Sequence, residues 1–317
     1  MPLEPVDLTI SIVTWNSAHD ILPCLNSVLA EARDTHCEVL VVDNASTDGT
    51  PGIVRRQDSV RLIVNEGNLG FAAAHTRAWA AASGHYWLLL NPDATLQPGA
   101  LRALISFMDR HPRAGLAGPR IVDDGGAVQH CAQALPSVLL TLLEASRLHR
   151  LLPARWRGRL LLGSYFSHDV STRVGWTWGT ALLARREAVA EVGALSERFF
   201  MYGEDLEWGF RMRRAGWEVW FCAEAEVRHR GAGSASRRWS DTQRRERILR
   251  GIDDAVRIHR GAVYSRLLKA AGLVALGLEA VSRRMRSRPV GPELSTALRY
   301  HWRTLVDRGH EPRHPDA

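Results

Sequence analysis

The sequence predicts an α/β fold, a doubly wound mixed sheet followed by a helical, basic C-terminal extension. Three observations carry this. Apolar runs recur at Leu8–Val13, Glu38–Val42, Val60–Val64 and Tyr86–Leu90, with helix-length intervals between them, the spacing of strands that cross over to parallel neighbours. Each run ends in polar residues: Thr14-Trp15-Asn16, Asp43-Asn44-Ala45-Ser46, Asn65-Glu66-Gly67-Asn68 and Asn91-Pro92-Asp93. Open α/β sheets bind ligands beyond the carboxyl ends of their strands, so these four ends should converge on one pocket. Finally, charge is segregated: residues 227–317 hold 20 Lys+Arg against 9 Asp+Glu, whereas the whole chain of 317 residues has a net charge of +7.

Beyond the fourth strand, Pro98–His111 reads as a helix, Gly115–Val122 as a strand, and Asp123-Asp124-Gly125-Gly126 as a turn. The stretch Val138–Leu162 mixes leucines with Arg147, His149, Arg150, Arg155, Arg157 and Arg159. Two readings stand for it, a packed helical insert or a membrane-surface element. Trp178–Leu183 is expected as a strand, Glu204–Ala215 as a helix and Trp217–Cys222 as a strand. From Ser240 the pattern is helical, with Gly261, Pro289 and Pro292 as breaks.

The composition, 45% hydrophobic and 24% charged, is that of a globular chain. It argues against wholesale disorder. The longest apolar candidate for a membrane span, Ala270–Val281, contains Glu279, so no crossing is expected. Met1–Asp7 carries Glu4 and Asp7 where a secretion signal would be basic. Cys24, Cys37, Cys131 and Cys222 form no Cys-x-x-Cys pair, which fits free thiols in a reducing compartment. The expected location is cytoplasmic, with peripheral attachment to the inner face of the plasma membrane. Nucleic acid is not an expected partner, since no reader motif accompanies the positive charge and Lys269 is the only lysine.

Four constellations could carry chemistry. Asp43 follows a buried strand, where a carboxylate either accepts a hydrogen bond from a ligand ring N–H or caps an Asx turn. Asp93 ends a hydrocarbon strand and either holds a hard divalent cation against a diphosphate or serves the turn. Glu204 and Asp205 stand behind the aromatic run Phe199-Phe200-Met201-Tyr202 at the start of a helix. One of the pair is a general base or both are helix caps. His229 sits between Arg228 and Arg230 as a metal ligand or a surface histidine.

In order and spacing, Ser11-Ile12-Val13-Thr14-Trp15-Asn16, Val41 to Thr50, Asn68-Leu69-Gly70-Phe71-Ala72, Leu89-Leu90-Asn91-Pro92-Asp93, Phe199 to Asp205 and His229 resemble a family 2 glycosyltransferase of the GT-A fold, in its rhamnosyltransferase-like branch. The resemblance implies that Thr14, Asn16, Asp43, Asn68, Gly70 and Asn91 bind the nucleotide sugar, with Asp43 facing the base. It implies Mg2+ or Mn2+ at Asp93 and His229, Asp205 as catalytic base, and Glu204 orienting base or acceptor. Asn91 stands where many relatives carry the first Asp of Asp-x-Asp. The implied reaction is a single inverting displacement that moves a sugar, rhamnose from dTDP-rhamnose as first choice, to a glycan or polyprenyl-linked acceptor in polysaccharide assembly. Galactofuranose or glucose from UDP are alternative donors, and a catalytically idle membrane-associated scaffold is the rival of another class. The expected division is a catalytic domain over 1–234, with a nucleotide half at about 1–95 and an acceptor half at about 96–234. Residues 235–317 then form an extension that binds an anionic membrane surface, packs on protein or joins a homo-oligomer.

Overall fold

The structure is a computed structural model and describes residues 6–231 and 238–306. The expected boundary at 234/235 and the acidic Glu4 lie outside those residues. Strands β1 (Leu8–Thr14), β2 (Cys37–Asp43), β3 (Val60–Val64) and β4 (Tyr86–Leu90) form where the apolar runs place them and pair in parallel in the order β3-β2-β1-β4. Thr14 lies opposite Asp43 and Asp43 opposite Val64, so the strand ends are level and their polar followers share one edge. Helices α1 (Ile21–Glu31), α2 (Thr50–Val54) and α3 (Phe71–Ala81) make the crossovers.

The other half of the sheet is mixed. After β5 (Ala94–Leu96) and α4 (Ala100–Arg110) come β6 (Ala114–Val122), β7 (Val128–Gln129), β8 (Thr172–Val174), β9 (Ala181–Arg185) and β10 (Glu218–His229). The sheet continues β4-β9-β6-β10-β5, with β9 antiparallel to both neighbours and β10 parallel to β6. The expected strand at Trp178–Leu183 is displaced. Pairing with β4 begins at Ala181, and Trp178-Gly179-Thr180 is the loop that enters the strand. The strand expected at Trp217–Cys222 runs on to His229 because an irregularity between Cys222 and Glu226 bends it without ending it. The leucine- and arginine-rich excursion folds as α5 (Val138–Ala145), a 3-10 turn (Leu148–Leu151) and α6 (Ala154–Leu161).

Helices α7 (Arg186–Val192) and α8 (Glu204–Arg214) cover one face of the sheet. The C-terminal extension then begins with a long helix, Asp241–Met285, started by a capping box between Ser240 and Gln243 and broken at Gly261 (φ 84°, ψ 166°). Its first half docks on α8: Ala255 and Val256 pack with Phe199, Leu206 and Phe210, and His259 stacks on Phe210 while meeting Glu207 at 3.0 Å. Past Gly261 the helix turns back on itself far enough for Lys269 to pair with Asp253 at 2.6 Å. A last helix, Pro292–Val306, covers that pair with Tyr300. Pro292 starts this helix and breaks none, since its missing N–H falls in the first turn.

One helix among the described residues is long and apolar enough to cross a membrane by length and composition. An 18-residue window of Asp241–Met285 has a mean hydropathy of 1.3 and is 11% buried. The apolar stretch weighed from the sequence, Ala270–Val281, lies within this helix. All four cysteines are free.

Candidate functional site

A cavity of about 470 Å³ opens at the carboxyl edge of β1 and β4. Asn68, Gly70, Asn91, Asp93, Glu204, Asp205 and His229 all line it. Residues from four separate stretches of chain thus meet across one space, as level strand ends require.

Asp205 stands in the first turn of α8, where the helix N-terminus favours a carboxylate. The amides of Leu206 and Gly179 donate to it at 2.8 and 3.2 Å. Burial nevertheless wins and raises its carboxyl to about 6. Glu204 is buried more deeply, and Oε2 has no hydrogen-bond partner among the described residues. Burial and then the neighbouring Asp205 charge push it well above the ordinary carboxylate range. The pair therefore carries one proton, held at Glu204, while Asp205 ionises first. The loop before them is strained: Tyr202 (φ 74°) and Gly203 (φ 101°) are both left-handed. Gly203 is required for a second reason. A Cβ there would lie 2.7 Å from the Gly251 backbone, and one on Gly251 would lie 2.2 Å from the Tyr202 carbonyl oxygen.

Asp93 and His229 are brought together by the antiparallel pairing of β5 with the end of β10, which sets His229 opposite Ala94. Asp93 Oδ1 lies 3.3 Å from His229 Nε2. Gln129 fixes the ring: its Nε2 donates to the His229 carbonyl at 2.7 Å, which turns Oε1 toward Nδ1 at 3.0 Å. Nδ1 then carries the proton in the neutral imidazole, and the Nε2 lone pair faces the carboxylate. Two lone-pair atoms this close need a cation between them or a second proton on the ring. The donor set, one carboxylate oxygen and one imidazole nitrogen, suits Mn2+ or Mg2+ completed by diphosphate oxygens and water. No group of three or more His, Cys, Asp or Glu side chains gathers for a metal among the described residues.

The nucleotide-binding candidates divide into two sets. Asn68 Oδ1 accepts from the Gly70 amide at 3.0 Å, and Phe71 N–H donates to the Phe200 carbonyl at 2.7 Å, docking this loop on the aromatic run. Gly70 is left-handed (φ 85°), and a Cβ would lie 2.4 Å from the Phe200 carbonyl oxygen. Thr14, Asn16 and Asp43 do not line the cavity. Asp43 is fully buried, with Thr14 Oγ1 and Ser46 Oγ donating to Oδ1 at 2.7 and 2.6 Å and the Ser46 amide to Oδ2 at 2.8 Å. Asn16, left-handed at φ 48°, accepts from the Thr47 amide at 2.8 Å and donates its own to Ser46. The carboxylate expected to face a base is fully buried in this structure. It ties the end of β1 to the turn that follows β2.

Sequence reasoning missed four contributors. Gln129 sits on a two-residue strand with no motif around it. Gly179 entered the sequence reading as strand interior, yet its amide holds Asp205. Arg238 and Trp239 lie past the last motif, where Arg238 packs over Trp15, Phe200 and Trp239 at 4.6–5.3 Å. Arg244, Ile248 and Ile252 complete that wall from the long helix. The extension is therefore part of the cavity, and its helical period, with Ile248 and Ile252 four apart, was the available signal.

Comparison with known proteins places these features. The sequence profile of glycosyl transferase family group 2 matches residues 87–302, and that of glycosyl transferase family 2 matches residues 9–150. An N-acetylglucosaminyl-diphospho-decaprenol L-rhamnosyltransferase of Mycobacterium tuberculosis (strain ATCC 25618 / H37Rv) is 37% identical over 224 residues, 66% of this chain and 71% of that protein. The O-antigen biosynthesis protein RfbC of Myxococcus xanthus is 32% identical over 234 residues, 72% of this chain but 17% of its own length. The mannosyltransferase PcManGT from Pyrobaculum calidifontis, solved with GDP-Man and Mn2+, superposes with a TM-score of 0.60 at 17% identity, over 97% of this chain and 89% of its own. GalNAc-T7 with UDP, GalNAc and Mn2+ gives 0.55 at 16% identity, over 94% of this chain and 55% of its own. The two structures share the GT-A fold with this chain, and the sequence matches go further: the chain belongs to glycosyltransferase family 2 and is a glycosyltransferase.

Proposed function

We propose that this transferase moves a rhamnosyl group from dTDP-rhamnose to a hydroxyl of a lipid-linked glycan, with inversion, on the cytoplasmic face of the membrane. The observation that carries the reading is that Asp205, with its raised carboxyl, lines the same cavity as the Asp93–His229 pair. The name of the mycobacterial relative supports the sugar and the lipid-linked acceptor. Asn68, Gly70 and Asn91 contact the nucleotide sugar, while Asp43, Thr14 and Asn16 hold the loop beneath it.

Asp205 accepts the proton of the acceptor hydroxyl, whose oxygen attacks the anomeric carbon from the face opposite the departing nucleoside diphosphate. Its raised carboxyl makes it a stronger base than a solvated aspartate while leaving it mostly ionised at neutral pH. Burial and the Asp205 charge hold Glu204 well above the ordinary carboxylate range, so it keeps its proton while Asp205 accepts, and Gly179 N–H fixes the direction in which Asp205 accepts. Asp93 and His229 would hold Mn2+ or Mg2+, which neutralises charge developing on the leaving diphosphate. A positioned base of this kind contributes roughly 10²–10⁴-fold.

A release assay tests the reading. Purified protein receives Mn2+ or Mg2+ and a panel of dTDP-, UDP- and GDP-sugars, with and without a polyprenyl-diphosphate-linked acceptor, beside Asp205→Asn. Metal-dependent release from dTDP-rhamnose that disappears in the variant is the expected result. Release from a UDP-sugar replaces the donor and keeps the chemistry. Absence of both release and nucleotide-sugar binding refutes the reading in favour of an idle scaffold.

A further inference from the structure

A second cavity, of about 260 Å³, lies between the excursion and the far end of the long helix. Arg147, Arg150, Arg283, Arg286 and Arg288 line it, with Glu279 as the only carboxylate. Glu279 is spent on Arg283 at 2.7 Å. Among the described residues no carboxylate pairs with Arg147, Arg150, Arg286 or Arg288. Arg147 itself is held in place: its backbone is left-handed (φ 61°), an unfavourable conformation for a residue with a Cβ, and its guanidinium donates to Ser282 Oγ at 3.0 Å. Converging unpaired guanidinium groups suit the oxygens of a phosphate, which accept from Arg in pairs.

The surroundings say where that phosphate comes from. Helix α5 runs alongside the second half of the long helix, tied at one end by Val138 N–H to Tyr264 Oη (3.4 Å) and at the other by Arg147 to Ser282. Helix α5, the 3-10 turn after it and the distal helix leave apolar side chains in solvent, among them Leu139 (74% exposed), Leu151 (82%), Val281 (57%) and Met285 (84%). A patch of this kind beside a positive cavity is the signature of a helix pair lying in the plane of an anionic bilayer, apolar groups among the acyl chains and arginines at the headgroups. The sequence reading offered this role to the extension over 235–317 and, as one of two readings, to the stretch Val138–Leu162. The structure removes Lys269 from it, buried against Asp253, and joins Arg147 and Arg150 of the excursion to the distal arginines in one cavity.

We propose that this arginine cavity binds the phosphate of an anionic phospholipid and docks the α5 and distal-helix surface on the bilayer. The inference rests on the membrane half of the proposed function, and it is tested without donor or acceptor so that its failure is independent of the transfer chemistry. Full-length protein is sedimented with phosphatidylcholine vesicles with and without phosphatidylglycerol, beside the exposed double variant Arg286→Gln/Arg288→Gln and, with the cavity intact, Leu139→Ser/Leu151→Ser. Melting temperature serves as the fold control. Binding that needs phosphatidylglycerol, is released by high salt, weakens in the leucine variant and falls roughly thirty-fold in the arginine variant supports the proposal. Equal binding to pure phosphatidylcholine, resistance to salt as for a spanning helix, or unchanged partition of the arginine variant overturns it. So does binding of inorganic phosphate by wild type with no binding of vesicles, which would make a soluble phosphate compound the ligand.

Discussion

Gly251→Ala tests whether the C-terminal extension positions the loop that leads into Glu204 and Asp205. In an ordinary helix the change is favourable by about 1 kcal/mol, because alanine loses less backbone freedom on folding. Here the new methyl would lie 2.2 Å from the Tyr202 carbonyl oxygen and 3.1 Å from Gly203 Cα. Ordinary van der Waals separation is more than 3.4 Å, so the long helix and the loop must part by about 1 Å, and both sides are backbone that no rotamer can relieve. Overpacking costs about 1–3 kcal/mol, and a rigid clash belongs at the upper end. The net effect is a loss of about 2 kcal/mol, a melting temperature lower by roughly 4 °C. Activity falls further: Gly203 precedes Glu204 and Asp205 directly, and a 1 Å misplacement of a catalytic group costs about 10²-fold in kcat. Gly277→Ala on the same helix is the control, since a Cβ there meets nothing within 4 Å, and it raises the melting temperature by roughly 2 °C with no change in rate. Differential scanning fluorimetry and donor turnover read both variants. If Gly251→Ala is as stable and active as Gly277→Ala, the contact does not position the loop and the reasoning fails.

Three other outcomes follow from the site. Turnover of wild type rises with pH through about 6 as Asp205 ionises, and Asp205→Asn loses roughly 10²–10⁴-fold in kcat across the whole profile; a profile flat between pH 5 and 8 would exclude Asp205 as the base. Glu204 has a folded pKa above its unfolded value, so its contribution to stability is present below the ordinary carboxyl range and lost as pH rises through the folded value. Glu204→Gln therefore melts higher than wild type at neutral and alkaline pH, with the difference vanishing in acid, and equal melting curves at pH 8 would count against its burial as an acid. Gln129→Leu removes the partner of His229 Nδ1 and raises the Mn2+ concentration for half-maximal turnover by about 10–100-fold, with the rate recovered at saturating metal; an unchanged Mn2+ titration would leave Gln129 without a positioning role.

Local sequence carried much of this protein. The four parallel strands are visible because β-branched and leucine runs of strand length stand between polar turns, and the polar followers of each run mark the ligand edge without any knowledge of pairing. Ser240 and Gln243 announce the long helix, and Gly261 its break, by their own backbone chemistry. Asp93, Glu204, Asp205 and His229 were legible as candidates from their places after apolar strands or at a helix start, although a turn, cap or surface role was open to each until their order and spacing were taken together.

What required the folded chain is every property that depends on a partner far away in sequence. Asp43 reads as a ligand group, and only the fold shows it buried and bonded by Thr14 and Ser46; Lys269 reads as a surface cation, yet Asp253 buries it. Gln129 has no local signature, and only the pairing of both β7 and β10 with β6 puts it against His229. Gly203 and Gly251 look like two unremarkable glycines until the helix crossing makes any Cβ a clash. The reason is physical: strand and helix periodicity are properties of neighbouring residues, whereas burial, pKa and close approach are set by whichever distant surface the chain folds back to meet.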